Sequence, residues 1–113
     1  MKDNDRKILC GMLKFARRVS KRINGLSYEE FNNNDDLQDA ILYALGQLGE
    51  KAHSLSNEFI ESYPRDEWYK LRGLRNRLFH SYDDINLQMV YEMATDDIDT
   101  IVQLLSELTG ETT

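Results

Sequence analysis

Residues Ile8–Ile23 read ILCGMLKFARRVSKRI and set the structural class of this 113-residue chain. The apolar positions recur in steps of four and three, at Ile8, Met12, Phe15, Val19 and Ile23. That spacing places them on one face of an α-helix, while lysines and arginines occupy the remaining surface. Asn24 and Gly25 then supply a helix stop. The segment predicts a long amphipathic helix with a basic outer surface.

Three later segments repeat the helical spacing. The first is expected to begin near Asn34–Asp36, to end near Leu55, and to carry small residues that admit a close neighbour (Ala40, Ala44, Gly46 and Ala52). Pro64 suits the first position of the next helix, which is predicted to end around His80 or Ser81. Its inward side is marked by Trp68, Leu71, Leu74 or Arg75, and Leu78.

The last helical segment starts at Leu87 and contains the strong stripe Ile98, Ile101, Val102, Leu105 and Leu108. The residues ATDD are expected to divide a short helix from a longer one, with Thr95 or Asp96 as the cap, and Gly110 is expected to end the second. Ser27 and Glu30 form a capping box that predicts a short helix near Tyr28–Phe31. These elements predict an all-α, up-and-down bundle of four main helices with one or two short extra helices. Residues 1–113 are expected to form a single domain whose last few residues are loose.

Composition excludes several functional classes. The single Cys10 cannot form an internal disulfide, and no apolar run is long enough to span a membrane. The start of the chain lacks the features of a signal peptide, so a cytoplasmic protein with no membrane partner is expected. No zinc spacing, phosphate-binding glycine loop or Ser/His/Asp arrangement is present in the sequence, so neither a metal nor a cofactor is expected.

Positive charge is concentrated in two blocks of an acidic chain whose net charge is −6. Residues 1–25 carry eight basic and two acidic groups, and residues 64–80 carry five basic and two acidic groups. If the two blocks meet in space, they form a local anion site within a protein that otherwise repels polyanions. The alternative is a solvated basic face on each helix.

The chemistry-bearing residues cluster in Leu74–Asp83, LRNRLFHSYD. The Arg75 guanidinium can bind phosphate oxygens, and the His80 imidazole can exchange a proton near neutral pH. On a continuous helix, Asn76 would lie one turn from His80 and could orient its ring, whereas Arg75 and His80 would be separated by about 140° around the axis. Both could reach one phosphate if Arg75 bends, if the helix unwinds, or if a second copy of the chain supplies the other half.

A two-fold interface would also bring two histidines into one cleft, as a base and an acid. Metal-free cleavage of an RNA phosphodiester is the chemistry that these residue types favour. The alternative is structural: Arg75 and His80 would stabilise a helix C-terminus, and Tyr82 would be an aromatic residue at the edge of the core.

The segment LRGLRNRLFHSYDDIN, together with YPRDEW and LGQLGEKAHSLS, resembles the HepT-like branch of the HEPN superfamily, whose pattern is R-x-x-x-x-H-x-Y. The resemblance implies a helical-bundle toxin that dimerises and cleaves RNA, tRNA or mRNA, without metal. It places Arg75 and His80 on the catalytic pair and Asn76 on the polar position beside the arginine. It also implies a cognate nucleotidyltransferase antitoxin of the MntA type, which attaches AMP to Tyr82. The alternative is a non-catalytic subunit that binds a nucleotidyltransferase or its substrate.

Three further residues are interpreted from their positions on the predicted helices. Arg72 can help to bind RNA phosphate or can pair with a nearby acid. His53 is interpreted as a helix-surface or partly buried packing residue rather than a catalyst, and Glu50 as a structural or interface acid.

Overall fold

Helices build the part of the chain that the computed structural model describes, residues 1–79 and 84–111. They are α1 (Asp3–Ile23), α2 (Tyr28–Asn32), α3 (Asp35–Ser54), α4 (Asn57–Ser62), α5 (Asp66–Arg72), α6 (Leu74–Leu78), α7 (Leu87–Glu92), a π-helical segment (Met93–Asp97) and α8 (Ile98–Thr109). The predicted all-α bundle is confirmed. Its main segments are α1, α3, the pair α5 and α6, and the run from α7 to α8. Among the described residues, no helix combines the length and the apolar character needed to cross a membrane.

Helix α1 packs against both α3 and α8 and carries the centre of the core. Its fully buried positions include Leu9, Met12, Leu13, Ala16 and Val19. The predicted stripe is therefore displaced: Ile8 and Phe15 are only partly buried, and they pack at its edge. Because α1 has neighbours on two sides, its buried arc is wider than the spacing of four and three indicates.

Gly49 brings α3 and α5 into close contact. A β-carbon at Gly49 would lie 3.0 Å from the carbonyl oxygen of Leu71 and 3.7 Å from Cβ of Leu74. A side chain at this position would require the Leu71 backbone to move by a few tenths of an ångström, so glycine suits the close contact. Gly46, which the sequence suggested for this role, faces open space, because a β-carbon added there would have no neighbouring atom within 4 Å.

The third main segment is two helices rather than one, because the chain turns at Gly73 between α5 and α6. It begins at Asp66, two residues later than the prediction from Pro64, and ends at Leu78, two to three residues earlier than predicted. The predicted inward positions Trp68, Leu71 and Leu78 are buried. Leu74 is also buried whereas Arg75 is exposed, so Leu74 and not Arg75 occupies the inward side of the segment.

Two contacts join the end of α6 to the start of α7. Phe79 is extended and forms an antiparallel β-bridge with Ile85, and the amide of Asn86 donates to the carbonyl of Leu78 at 2.6 Å. Residues 80–83 follow Phe79 in the chain and lie outside the described residues. The predictions for His80 and Tyr82 fall there.

The final segment stays helical through ATDD, where a divided helix was predicted. Thr95 does not cap a new helix; its hydroxyl donates to the carbonyl of Tyr91 at 2.8 Å. The π-helical segment instead changes the register between α7 and α8 without a break. The predicted stop is confirmed, since Gly110 adopts a left-handed conformation with φ of 73°. The prediction of loose terminal residues falls partly on residues 112 and 113, which are outside the described residues.

Asp5 ties the start of α1 to the start of α4. Its carboxylate, 2% exposed, accepts hydrogen bonds from the Ser56 amide at 2.9 Å and the Ser56 hydroxyl at 2.7 Å. Burial opposes ionisation, but these hydrogen bonds and the charge of Lys2 hold the pKa of the Asp5 carboxyl below its ordinary value of 3.8. The ionised carboxylate therefore stabilises the folded state.

We expect Asp5→Asn to lower the free energy of unfolding at pH 7 by about 1–3 kcal/mol, because one hydrogen bond to a charged acceptor is lost. A depressed pKa gives stability that is present above the unfolded value and lost as the pH falls through the folded value. The difference from the wild type should thus shrink below pH 3.8. Urea unfolding at several pH values measures it. Asp3→Asn, on the exposed surface of the same turn, is the control, and an equal effect there would contradict the assignment.

Gly49→Ala is expected to lower the free energy of unfolding by about 1–3 kcal/mol, because its methyl group meets the Leu71 backbone and forces α5 away from α3. The matched change Gly46→Ala, in the same helix but with open space around it, is expected to be neutral or stabilising by up to about 1 kcal/mol. Chemical denaturation of both variants tests the pair. Equal destabilisation would show that the close approach at Gly49 carries no cost.

Candidate active site

A cavity of about 200 Å³ lies where α3 meets the junction of α5 and α6. It is lined by Gly49, Glu50, His53, Arg72, Arg75 and Asn76. Helix α3 supplies the first three residues and the arginine-rich segment supplies the others. The structure therefore brings three predicted site residues together with Glu50 and His53, for which no catalytic role was predicted.

Arg72 holds the end of α3 in place. Its Nε donates to the carbonyl of Ala52 at 2.9 Å, and its Nη2 donates to the carbonyl of Leu55 at 3.2 Å. Both carbonyls lie at the C-terminal end of α3, where the Ala52 carbonyl also accepts a long hydrogen bond of 3.4 Å from the amide of the cap residue Leu55. The Arg72 side chain thus supports the cavity wall, and its contact with RNA phosphate stays a prediction.

Arg75 and Asn76 are exposed on the outer side of α6, and both side chains border the cavity. Within residues 1–79 and 84–111, no carboxylate lies within ion-pair distance of the Arg75 guanidinium. A solvent-facing guanidinium with its donors available can bind two oxygens of one phosphate. Asn76, beside it, offers a further donor and acceptor.

His80 follows Phe79 in the chain, and both His80 and Tyr82 lie outside the described residues. Helix α6 ends at Leu78 and Phe79 is extended, with φ of −111° and ψ of 126°. The four-residue relation between Asn76 and His80, and the angle of about 140° between Arg75 and His80, both assume helix beyond this point. The sequence allowed three ways for Arg75 and His80 to reach one phosphate, and one of them was unwinding of the helix near His80. The end of α6 at Leu78 agrees with that possibility.

His53 is exposed on the surface of α3, as predicted, but it also has a partner that the sequence did not reveal. Its Nε2 lies 3.0 Å from the carbonyl oxygen of Arg72. A carbonyl can only accept, so Nε2 carries the hydrogen in this contact. The one sequence feature that pointed to a place for His53 at the cavity was its spacing of four residues from Gly49, which puts both on one helical face. That spacing does not identify the helix on the other side of the cavity.

The cavity is locally basic in an acidic protein. Its lining holds two arginines against one acid, Glu50, whereas the net charge of the chain is −6. The two basic blocks of the sequence do not form one packed pair: α1 packs mainly on α3 and α8, while α5 and α6 pack on α3. The second block alone supplies the arginines of the cavity. In the part of the chain that the structure describes, no group of three or more His, Cys, Asp or Glu side chains is placed to hold a metal ion.

Comparison with known proteins gives a consistent set of matches. A family model described as Ribonuclease HepT-like matches residues 12–108. A "Putative RNase" of Methanocaldococcus jannaschii is 31% identical over 93 residues, which cover 82% of this chain and 85% of that protein. A second "Putative RNase" of the same organism is 26% identical over 114 residues, covering 97% and 94% of the two chains.

A "Probable ribonuclease HepT" of Thermococcus cleftensis is 24% identical over 76 residues, which cover 67% of this chain and 69% of that protein. No solved structure matches the chain.

Proposed function

The chain belongs to the HepT-like ribonuclease family, and from that premise we propose that it is a toxin-type endoribonuclease that cleaves tRNA or mRNA without a metal ion. Ribonuclease activity is supported by the family and by the names of the relatives. The observation that carries the proposal for this chain is the position of Arg75 and Asn76. Both are exposed and line a basic cavity at the start of α6, the last helix before His80 in the chain.

The proposed reaction is attack by a ribose 2′-oxygen on the adjacent phosphorus. The bond from O2′ to phosphorus forms, the bond from phosphorus to O5′ breaks, and the products are a 2′,3′-cyclic phosphate and a 5′-hydroxyl. Arg75 stabilises the negative charge that grows on the phosphate oxygens. His80 transfers a proton at one of the two reacting oxygens, and Asn76 orients the site.

The active form in this proposal is a homodimer. The cavity is small and holds only two arginines, which is little charge for binding a polyanion such as RNA. A two-fold axis near α6 would join two such cavities into one longer basic groove. The acidic remainder of each chain would then limit binding elsewhere on the surface.

Regulation is proposed to act at Tyr82 through a nucleotidyltransferase antitoxin of the MntA type. AMP attached to Tyr82 would add a phosphate charge and a large group to the segment that joins Phe79 to Ile85. The two residues that flank this segment are paired with each other directly after the Arg75 helix. The adduct would therefore compete with RNA for the same guanidinium.

The second candidate function is a non-catalytic subunit that binds a nucleotidyltransferase or its substrate. The net charge of −6 favours it, because free RNA is repelled by most of the surface. Such a subunit would bind its partner tightly and leave RNA intact.

We expect the purified protein to cleave labelled tRNA or mRNA in EDTA, and to sediment at twice the protomer mass. Arg75→Ala and His80→Ala should each lower the cleavage rate by about 10²-fold or more, because the first removes phosphate stabilisation and the second removes proton transfer. Product ends are read by their susceptibility to phosphatase and kinase.

Arg65→Ala, an exposed arginine at the start of α5, is the control for lost charge and should keep most of the activity. Cleavage that requires an added divalent ion would contradict the metal-free mechanism. Intact RNA together with tight binding to a nucleotidyltransferase would support the second candidate.

Incubation with the cognate nucleotidyltransferase and ATP is expected to add AMP to Tyr82 and to suppress cleavage, because the adduct occupies the anion site. Peptide mass spectrometry locates the adduct. Tyr82→Phe should remain unmodified, whereas Tyr69→Phe, at a tyrosine that is 61% exposed on α5, should be modified at Tyr82 as the wild type is. An adduct found at Tyr69 in the wild type would overturn the assignment.

A further inference from the structure

We infer that His53 is the general base of the candidate active site. The inference rests on the proposed function and adds a residue to it. The chain contains two histidines, and the sequence placed only one, His80, in the catalytic patch. The structure places the other, His53, on the wall of the cavity that Arg75 and Asn76 also border.

The hydrogen bond from His53 to Arg72 selects one form of the ring. Because Nε2 donates to the Arg72 carbonyl at 3.0 Å, the neutral ring has its hydrogen on Nε2 and its lone pair on Nδ1. A base needs that lone pair. The same carbonyl remains an acceptor after Nδ1 takes a proton, so it holds the ring in position and stabilises the imidazolium, as the carboxylate does in a catalytic triad.

Further hydrogen bonds hold Arg72, the partner of His53, in place. The Arg72 side chain donates to the carbonyls of Ala52 and Leu55, so α3 and α5 are joined by hydrogen bonds that run in both directions across the gap. Gly49 allows the two helices to come this close. The hydrogen bond to the Arg72 carbonyl orients the His53 ring, and orientation is what a proton-transfer group requires.

The surroundings of His53 suit a base that acts on RNA. Arg72 and Arg75 line the same cavity and can attract the phosphate that neighbours the 2′-hydroxyl. Glu50, three residues before His53 on α3, is the one acid in the lining of the cavity.

In the inferred step, His53 Nδ1 takes the 2′-hydroxyl proton as O2′ bonds to phosphorus. The bond from phosphorus to O5′ breaks, and O5′ takes a proton from His80, the acid of the proposed function. A two-fold interface then extends the RNA-binding groove.

The simpler interpretation is that His53 only fastens α3 to α5. His53→Gln separates the two roles, because the glutamine amide can donate from the position of Nε2 but cannot take a proton. We expect His53→Gln to unfold at the wild-type denaturant concentration and to cleave RNA about 10²-fold more slowly or worse. Its rate should also lose the rise with pH that reports deprotonation of the base. Ser54→Ala, at the next exposed position of α3, should keep the wild-type profile.

NMR spectroscopy of the histidine rings tests the role of His53 without RNA cleavage. With only two histidines in the chain, ¹⁵N-labelled rings are assigned by comparing His53→Gln and His80→Gln. We expect the His53 ring to be protonated at Nε2, and its Nδ1 resonance to shift when a short 2′-O-methyl RNA binds. Arg75→Ala should abolish that shift.

Wild-type cleavage with an unchanged rate and pH profile in His53→Gln would overturn the role of His53 and leave the ribonuclease intact. Absence of cleavage by the wild type would overturn the proposed function. An Nδ1 resonance that does not respond to bound RNA would overturn the inference in either case.

Discussion

The close contact between Gly49 and the Leu71 carbonyl is the constraint on which the candidate site depends. The Leu71 carbonyl oxygen lies 3.0 Å from the position that a β-carbon on Gly49 would occupy. The backbone of α5 therefore packs directly against α3 near the C-terminal end of α3. Arg72 can then satisfy the last carbonyls of α3, and His53 can reach back to the Arg72 carbonyl. Packing and hydrogen bonding thus reinforce one another. The close packing of α3 and α5 brings the hydrogen-bonding groups of Arg72 and His53 within reach, and the resulting hydrogen bonds keep the two helices together.

The charge distribution separates the site from the rest of the surface. An acidic protein gains little from general attraction to RNA, so the proposed function requires the few arginines that are concentrated at one place to supply the affinity. Arg72 uses its donors to support the fold, whereas Arg75 is exposed and borders the cavity. Two arginines three residues apart therefore differ in their surroundings, since the structure shows hydrogen bonds to the fold for Arg72 and an exposed position for Arg75.

The fold could be predicted where local rules act. Apolar spacing located the main helices, the Ser27 and Glu30 capping box located α2, and Gly110 marked the last helix end. Features that depend on distant contacts could not be predicted. Gly46 and Gly49 look alike in the sequence, and only the neighbouring helix distinguishes them. The π-helical segment has no local signature, because ATDD is equally compatible with a helix start.

The candidate site divides in the same way. Arg75 and Asn76 stood out because their residue types and their spacing from His80 form a motif, and the structure places both at the cavity. His53 did not, since its partner Arg72 is 19 residues away and the link is a backbone carbonyl that no residue type encodes.

The backbone pairing of Phe79 with Ile85 defines the connection between α6 and α7. It fixes where the chain leaves α6 and enters α7, so the two ends of the stretch that carries the predicted residues His80 and Tyr82 are held next to each other on the helical scaffold.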